Sequence, residues 1–162
     1  MKKFILSGVM LTLLLVLVGC GGTQNAIKQT ERTVRGNWVV DNVTYSGSGQ
    51  FESTLLQDVS AQCFEGSQWY FVANNNRGSY SIESPSCNTG TRNFVWVIPG
   101  SKDIIEGDLL LKPTGDNYKS ETNAGFRLNV NNLTETSMTW SQSVLVGGNT
   151  VKVNMNFRKI AE

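Results

Sequence analysis

Between residues 34 and 159 the chain is a succession of short runs in which apolar and polar side chains alternate, and turn residues end almost every run. Alternation with a period of two places one set of side chains on one face of an extended strand and the second set on the other. Eight such runs predict strands at 34–45, 68–73, 79–83, 93–98, 108–112, 125–130, 137–146 and 150–159. The last is the cleanest: Val151, Val153, Met155 and Phe157 share one face, Lys152, Asn154, Asn156 and Arg158 the other. In the first run, plain alternation groups Trp38, Val40 and Asn42 against Val39, Asp41 and Val43. Strand 93–98 is apolar on both faces, which predicts cover on both sides. Asn74-Asn75-Asn76-Arg77-Gly78 and Gly147-Gly148-Asn149 supply residues that tolerate the positive φ of hairpin turns. The expected fold class is all-β, antiparallel, either a sandwich or an up-and-down barrel. Eight strands is also the number at which a closed barrel just holds one small ligand. Segment 52–63 departs from the rhythm. Its Leu55, Leu56 and Val59 fall at i, i+1 and i+4, which predicts one short helix plugging an end of the β-structure.

The first residues are organised differently. Met1-Lys2-Lys3 precedes an apolar run over 4–18, too short for a membrane span and typical of a secretory leader. The run ends in Leu17-Val18-Gly19-Cys20, which resembles the lipobox of bacterial lipoproteins. That resemblance implies removal of 1–19, acylation of Cys20 and attachment to a membrane of the cell envelope. Gly21 in place of an aspartate after the cysteine points to the outer membrane; periplasmic and surface faces stay open. Residues 20–33 carry few apolar side chains and no clear period, so they are expected to be a flexible tether to a domain at 34–162.

The chain holds three cysteines and no histidine. With Cys20 carrying lipid, Cys63 and Cys87 remain, one just before and one just after the predicted hairpin at 68–83. Hairpin ends lie side by side, within disulfide reach, and an exported domain meets an oxidising compartment. The rival reading, a metal or redox site, would need a third ligand; there is no CxxC, no histidine and no further thiol. Lacking histidine, the chain also lacks the commonest general base. Ser46-Gly47-Ser48-Gly49 reads as a turn and not a nucleophile elbow. Asp103, Glu106 and Asp108 cluster with Lys102 as a solvated turn. Setting aside Lys2 and Lys3 leaves 12 basic against 13 acidic side chains, so no basic face for nucleic acid is expected. No cofactor, no metal and no enzymatic activity are expected.

Gly36-Asn37-Trp38, the block from Cys63 to Tyr80 with Cys87 downstream, and the patterns at 125–144 and 151–160 resemble small lipocalin-like lipoproteins of Gram-negative bacteria. The resemblance implies an eight-stranded lipocalin or calycin-type barrel with Gly36 and Trp38 at its closed end. Trp69, Phe71, Tyr80, Phe94, Trp96, Phe126, Trp140 and Met155 are the candidate ligand-binding residues, against the alternative that they only fill the interior. Tyr70, Tyr80, Arg127 and Gln142 are the candidate polar groups for orienting a guest. The function expected is a lipid-anchored carrier of a small hydrophobic molecule, held by apolar burial at about 25 cal/mol per Å². The alternative is a filled barrel that binds an envelope protein or glycan through its rim or outer face.

Overall fold

A computed structural model describes residues 22–46, 53–100, 107–120 and 122–161. The leader, Cys20, and the turn bearing Lys102, Asp103 and Glu106 lie outside the described residues. The strands are β1 (Gly36–Ser46), β2 (Thr54–Leu55), β3 (Val59–Ser60), β4 (Gln68–Val72), β5 (Arg77–Ile82), β6 (Gly90–Val97), β7 (Asp108–Thr114), β8 (Phe126–Asn131), β9 (Ser137–Val146) and β10 (Asn149–Ile160). Eight of them close into an antiparallel barrel in the order β1-β10-β9-β8-β7-β6-β5-β4, and these are the eight runs predicted from alternation. Closure comes from Gly36–Val39 of β1 pairing with Gln68–Phe71 of β4.

Alternation fails at one place in β1. Val40 pairs with Phe157 but Asn42 with Asn156, so Asp41 is one residue too many. This bulge flips the face of everything after it. Val43 therefore turns inward and is buried, while Asn42 turns outward and accepts a hydrogen bond from Asn156. The outer face of β6 departs from expectation as well: Val95 is half-buried and Val97 is 44% exposed, so nothing described covers that side.

The lower end, where β1 begins, is closed by a helix that replaces the expected flexible tether. Helix α1 spans Gly22–Val34. Ile27, Thr30, Glu31 and Val34 are half-buried or buried, spaced i, i+3, i+4 and i+7 along one face, and Thr33 is half-buried beside them. Two of those four are polar, which is why the stripe is hard to see in the sequence. Trp38 is fully buried and donates its indole N–H to the Val34 carbonyl at 2.8 Å. Lys159 Nζ donates to the Thr33 carbonyl at 3.0 Å and lies 5.0 Å from the Trp38 ring centroid. A cation on the last carbonyls of a helix complements its dipole. Gly36 has φ of +116° where the helix turns into β1, and a Cβ there would meet the Lys159 stem at 3.1 Å. Gly36 and Trp38 thus stand where α1 passes into β1, at the lower end of the barrel.

The upper end is closed by residues 53–67, and they are not the predicted helix. They form the β2–β3 hairpin and a single 3-10 turn, Ala61–Phe64. Leu56 and Gln57 both sit at φ of 55°, the left-handed region, which breaks any α-helix there. The apolar spacing that suggested a helix serves a plug instead: Leu55, Leu56, Val59, Ala61 and Phe64 are all buried. The backbone is tied down by Ala61 N–H to Ser53 O at 2.7 Å and Gly66 N–H to Val40 O at 2.8 Å.

Candidate functional site

Inside the barrel the aromatic side chains of β4, β5, β6 and β9 meet one another. Trp69 is the hub. It stacks on Tyr80 at 4.4 Å between centroids, and Trp140 meets it edge-on at 5.0 Å. Phe94, Phe157, Phe64 and Phe71 lie 5.6 to 6.1 Å from it. Phe71 in turn meets Trp96 edge-on at 5.6 Å. Gly78 makes room for this cluster: a Cβ there would strike the Phe94 ring and come within 2.7 Å of the Tyr70 carbonyl. Trp69, Phe71, Tyr80, Phe94, Trp96 and Trp140 are thus brought together, each touching at least one other. Phe126 and Met155 lie on the β8–β10 side: Met155 is buried and pairs across the ladder with Trp140, and Phe126 is half-buried at the upper start of β8.

Tyr80 joins the cluster to the upper plug. Its phenol donates to Asp58 Oδ2 at 2.8 Å. Arg92 Nε lies 2.8 Å from the same oxygen, and the Arg92 guanidinium also donates to the carbonyls of Gly90 and Asn88, both at 2.6 Å. The Cys63–Cys87 disulfide links the plug to the loop after β5. Burial, then the Asp58 hydrogen bond and charge, push the Tyr80 phenol well above the ordinary tyrosine range. A group whose folded value is raised contributes fully below its unfolded value, about 10, and loses that contribution as pH rises beyond it. Alkaline titration followed by tyrosinate absorbance should therefore show one of the four tyrosines ionising only together with unfolding. Tyr80→Phe should remove that delayed component.

Of the candidate orienting groups, Tyr70 (45% exposed) and Arg127 point out of the barrel, and Tyr80 is taken by Asp58. Gln142 points in. It pairs with Val153 on the inward face of β9, two residues beyond Trp140. Trp38, Trp69 and Trp96 donate their indole N–H groups to Val34 O, Ser67 Oγ and Arg77 O at 2.8, 2.9 and 3.0 Å. Trp140 Nε1 is buried and has no hydrogen-bond partner among the described residues, and the same holds for Gln142 Oε1. A donor and an acceptor thus stand unsatisfied on the inward face of one strand. Buried polar groups left this way cost about 1–3 kcal/mol each. The wall beside them is incomplete: the β8–β9 ladder joins only Asn129–Asn131 to Thr139–Ser141. Above it Phe126 and Leu128 pair with β7 alone, and Gln142 and Val144 with β10 alone.

An up-and-down barrel of eight strands, closed on its own first strand and sealed below by a tryptophan after a positive-φ glycine, has the lipocalin type of fold. The chain belongs to the lipocalin-like domain family, whose sequence profile matches residues 34–140. That fold commonly binds small hydrophobic ligands without catalysing a reaction. Among solved structures, a lipocalin-like protein from Bacteroides uniformis ATCC 8492 is similar at a TM-score of 0.48 and 10% identity, over 79% of this chain and 99% of its own. An uncharacterized protein from Bacteroides eggerthii DSM 20697 is similar at 0.47 and 11%, over 78% and 98%. A bovine odorant binding protein, a deswapped triple mutant, is similar at 0.41 and 10%, over 80% and 76%. No curated protein matches the chain.

Proposed function

We propose that this protein is a lipid-anchored binding protein of the bacterial cell envelope whose barrel holds a small hydrophobic molecule carrying one polar group. The observation that supports the reading best is the unpartnered pair, Trp140 Nε1 and Gln142 Oε1, on the inward face of β9. A ligand group that both accepts and donates, such as a hydroxyl or a protonated carboxyl, would satisfy the two together. Ligand pockets take this form, apolar walls with a few placed polar groups. In this reading Phe126, Trp140 and Met155 face the guest, and Trp69, Phe71, Tyr80, Phe94 and Trp96 form the floor beneath it. The break in the β8–β9 ladder is the entrance. Acylation of Cys20 holds the protein to the outer membrane.

Delipidated protein titrated with long-chain fatty acids and alcohols tests the binding half of the reading. Saturable change in tryptophan fluorescence at micromolar concentration is expected. Gln142→Leu should weaken binding about five- to thirty-fold, the equivalent of one hydrogen bond made in a buried site. A flat response from a protein that still unfolds cooperatively would contradict it. Membrane fractionation of the wild type against Cys20→Ala tests the anchor; the variant should become soluble.

A further inference from the structure

The lower end of the molecule carries a charge pattern that the interior does not use. Lys28, Arg32 and Arg35 are all exposed and recur at i, i+4 and i+7, so they form one stripe along α1 and its exit into β1. The stripe borders an open groove of about 400 Å³ whose far wall is residues 72–74, where β4 turns toward β5. Glu31, the one acidic side chain of α1, also lines it, half-buried and accepting from Asn76 Nδ2 at 3.4 Å. No acidic side chain pairs with any of the three cations among the described residues. The helix is also placed relative to the chain before it. It begins at Gly22, two residues after Cys20, a reach of about 7 Å. Its early turns lie by the lower end of β6, since a Cβ on Gly100 would come within 2.8 Å of Ile27 Cδ1. Three residues before Gly100, Val97 is 44% exposed on the outer face of β6, opposite the half-buried Leu110 of β7.

We infer that this lower end is a docking surface for anionic phospholipid headgroups, those of the membrane that the lipid on Cys20 enters; the inference rests on the anchoring proposed above. Charge selects the chemistry. Three exposed cations border one groove, and its single carboxylate is engaged by Asn76, so the surface favours phosphate. Near an anionic bilayer each Lys or Arg strengthens attachment about fivefold. Reach selects the source. Lys28 stands six residues into α1, about 9 Å of helix beyond Gly22, so a bilayer holding Cys20 is close enough to meet the stripe. Val97 adds an exposed apolar side chain at the end of α1 that is nearer Cys20, suited to the boundary between headgroups and acyl chains. A lipid chain and a basic cluster together hold a protein far more firmly than one chain alone. Docked in this way, the barrel turns the plug at residues 53–67 away from the bilayer.

The test is amide NMR of the mature lipidated protein in nanodiscs that contain a gadolinium-chelating lipid. One set of discs is phosphatidylcholine alone; in the other, phosphatidylglycerol replaces part of it. With phosphatidylglycerol present, signals from residues 22–35, 72–76 and 97–100 should broaden most, and those from 54–60 and 147–149 least. In phosphatidylcholine alone the broadening should weaken and spread over the surface. Lys28→Glu combined with Arg32→Glu, both exposed changes, should abolish the difference between the discs. Lys152→Glu, an equally exposed change near the upper end of β10, should leave it intact. The same pattern in both discs, broadening centred on another face, or a double variant that behaves as wild type would each overturn the proposal. The intact mass of the same sample reads acylation of Cys20 separately. Protein found without lipid would refute the anchor alone. Docking would then be read from sedimentation with phosphatidylglycerol vesicles, expected to exceed that with phosphatidylcholine vesicles by about tenfold or more and to be lost in the double variant; equal sedimentation would overturn it.

Discussion

Trp69→Ala is expected to destabilise the protein by about 3–5 kcal/mol, the usual cost of removing a large aromatic side chain from a packed core. The figure follows from the position of the residue. Trp69 is 1% exposed and meets six aromatic rings belonging to the 3-10 turn, β4, β5, β6, β9 and β10. Few of those elements can collapse into the space, since each is fixed by its own ladder. Small domains hold only about 5–15 kcal/mol in total, so the variant should be close to unfolding at moderate denaturant. Leu145→Ala is the control: that leucine is 75% exposed and its loss should move stability by no more than about 0.5 kcal/mol. Urea melts of both variants measure this directly. A loss below about 1 kcal/mol at Trp69 would mean that the interior is loosely packed there, and that the floor of the proposed site is not where the structure puts it.

Removing the Cys63–Cys87 link should cost about 3.5 kcal/mol if it acts through the entropy of the unfolded chain, given a closed loop of about 25 residues. The double variant Cys63→Ala, Cys87→Ala should show the loss in a denaturant melt. Its local consequence is the more informative part. The disulfide and the Asp58–Arg92 pair are two separate fastenings between the upper plug and the barrel. With the first removed, hydrogen exchange should accelerate over residues 53–67 before it does so in β9 or β10. Uniform acceleration across the barrel would show that the plug and barrel open as one unit.

The eight barrel strands were legible because each buries one face, and burial on one face leaves a period of two in the residue types. What was missed had no such trace. The bulge at Asp41 is invisible in β1 alone; only the partner strand, where Asn156 rather than Phe157 faces Asn42, reveals it. Helix α1 half-buries Thr30 and Glu31 beside Ile27 and Val34, so its stripe is half polar and reads as loop. Residues 52–63 misled in the opposite way. Their leucines are spaced as in a helix, yet Leu56 and Gln57 adopt left-handed backbone with no glycine or asparagine to announce it. Tertiary packing of the plug holds them there. The candidate site divides along the same line. Aromatic residues facing inward were legible from alternation. The unsatisfied Trp140 and Gln142 were not, since satisfaction depends on what the other three tryptophans find to bond with. The Asp108–Arg127 ion pair depends on register alone: Asp108 comes opposite Asn129, and Arg127 opposite Leu110, only once β7 and β8 pair.

The most direct measurement is the indole N–H spectrum of the four tryptophans during titration with a long-chain alcohol. Three indoles already have protein acceptors, in Val34, Ser67 and Arg77. The Trp140 resonance should move downfield and saturate with the ligand, while the other three stay nearly still, and Trp140→Phe should identify it by its disappearance. If the Trp140 resonance stays fixed while the ligand demonstrably binds, or if all four move together, the guest does not sit against β9 and the account of the interior site is wrong.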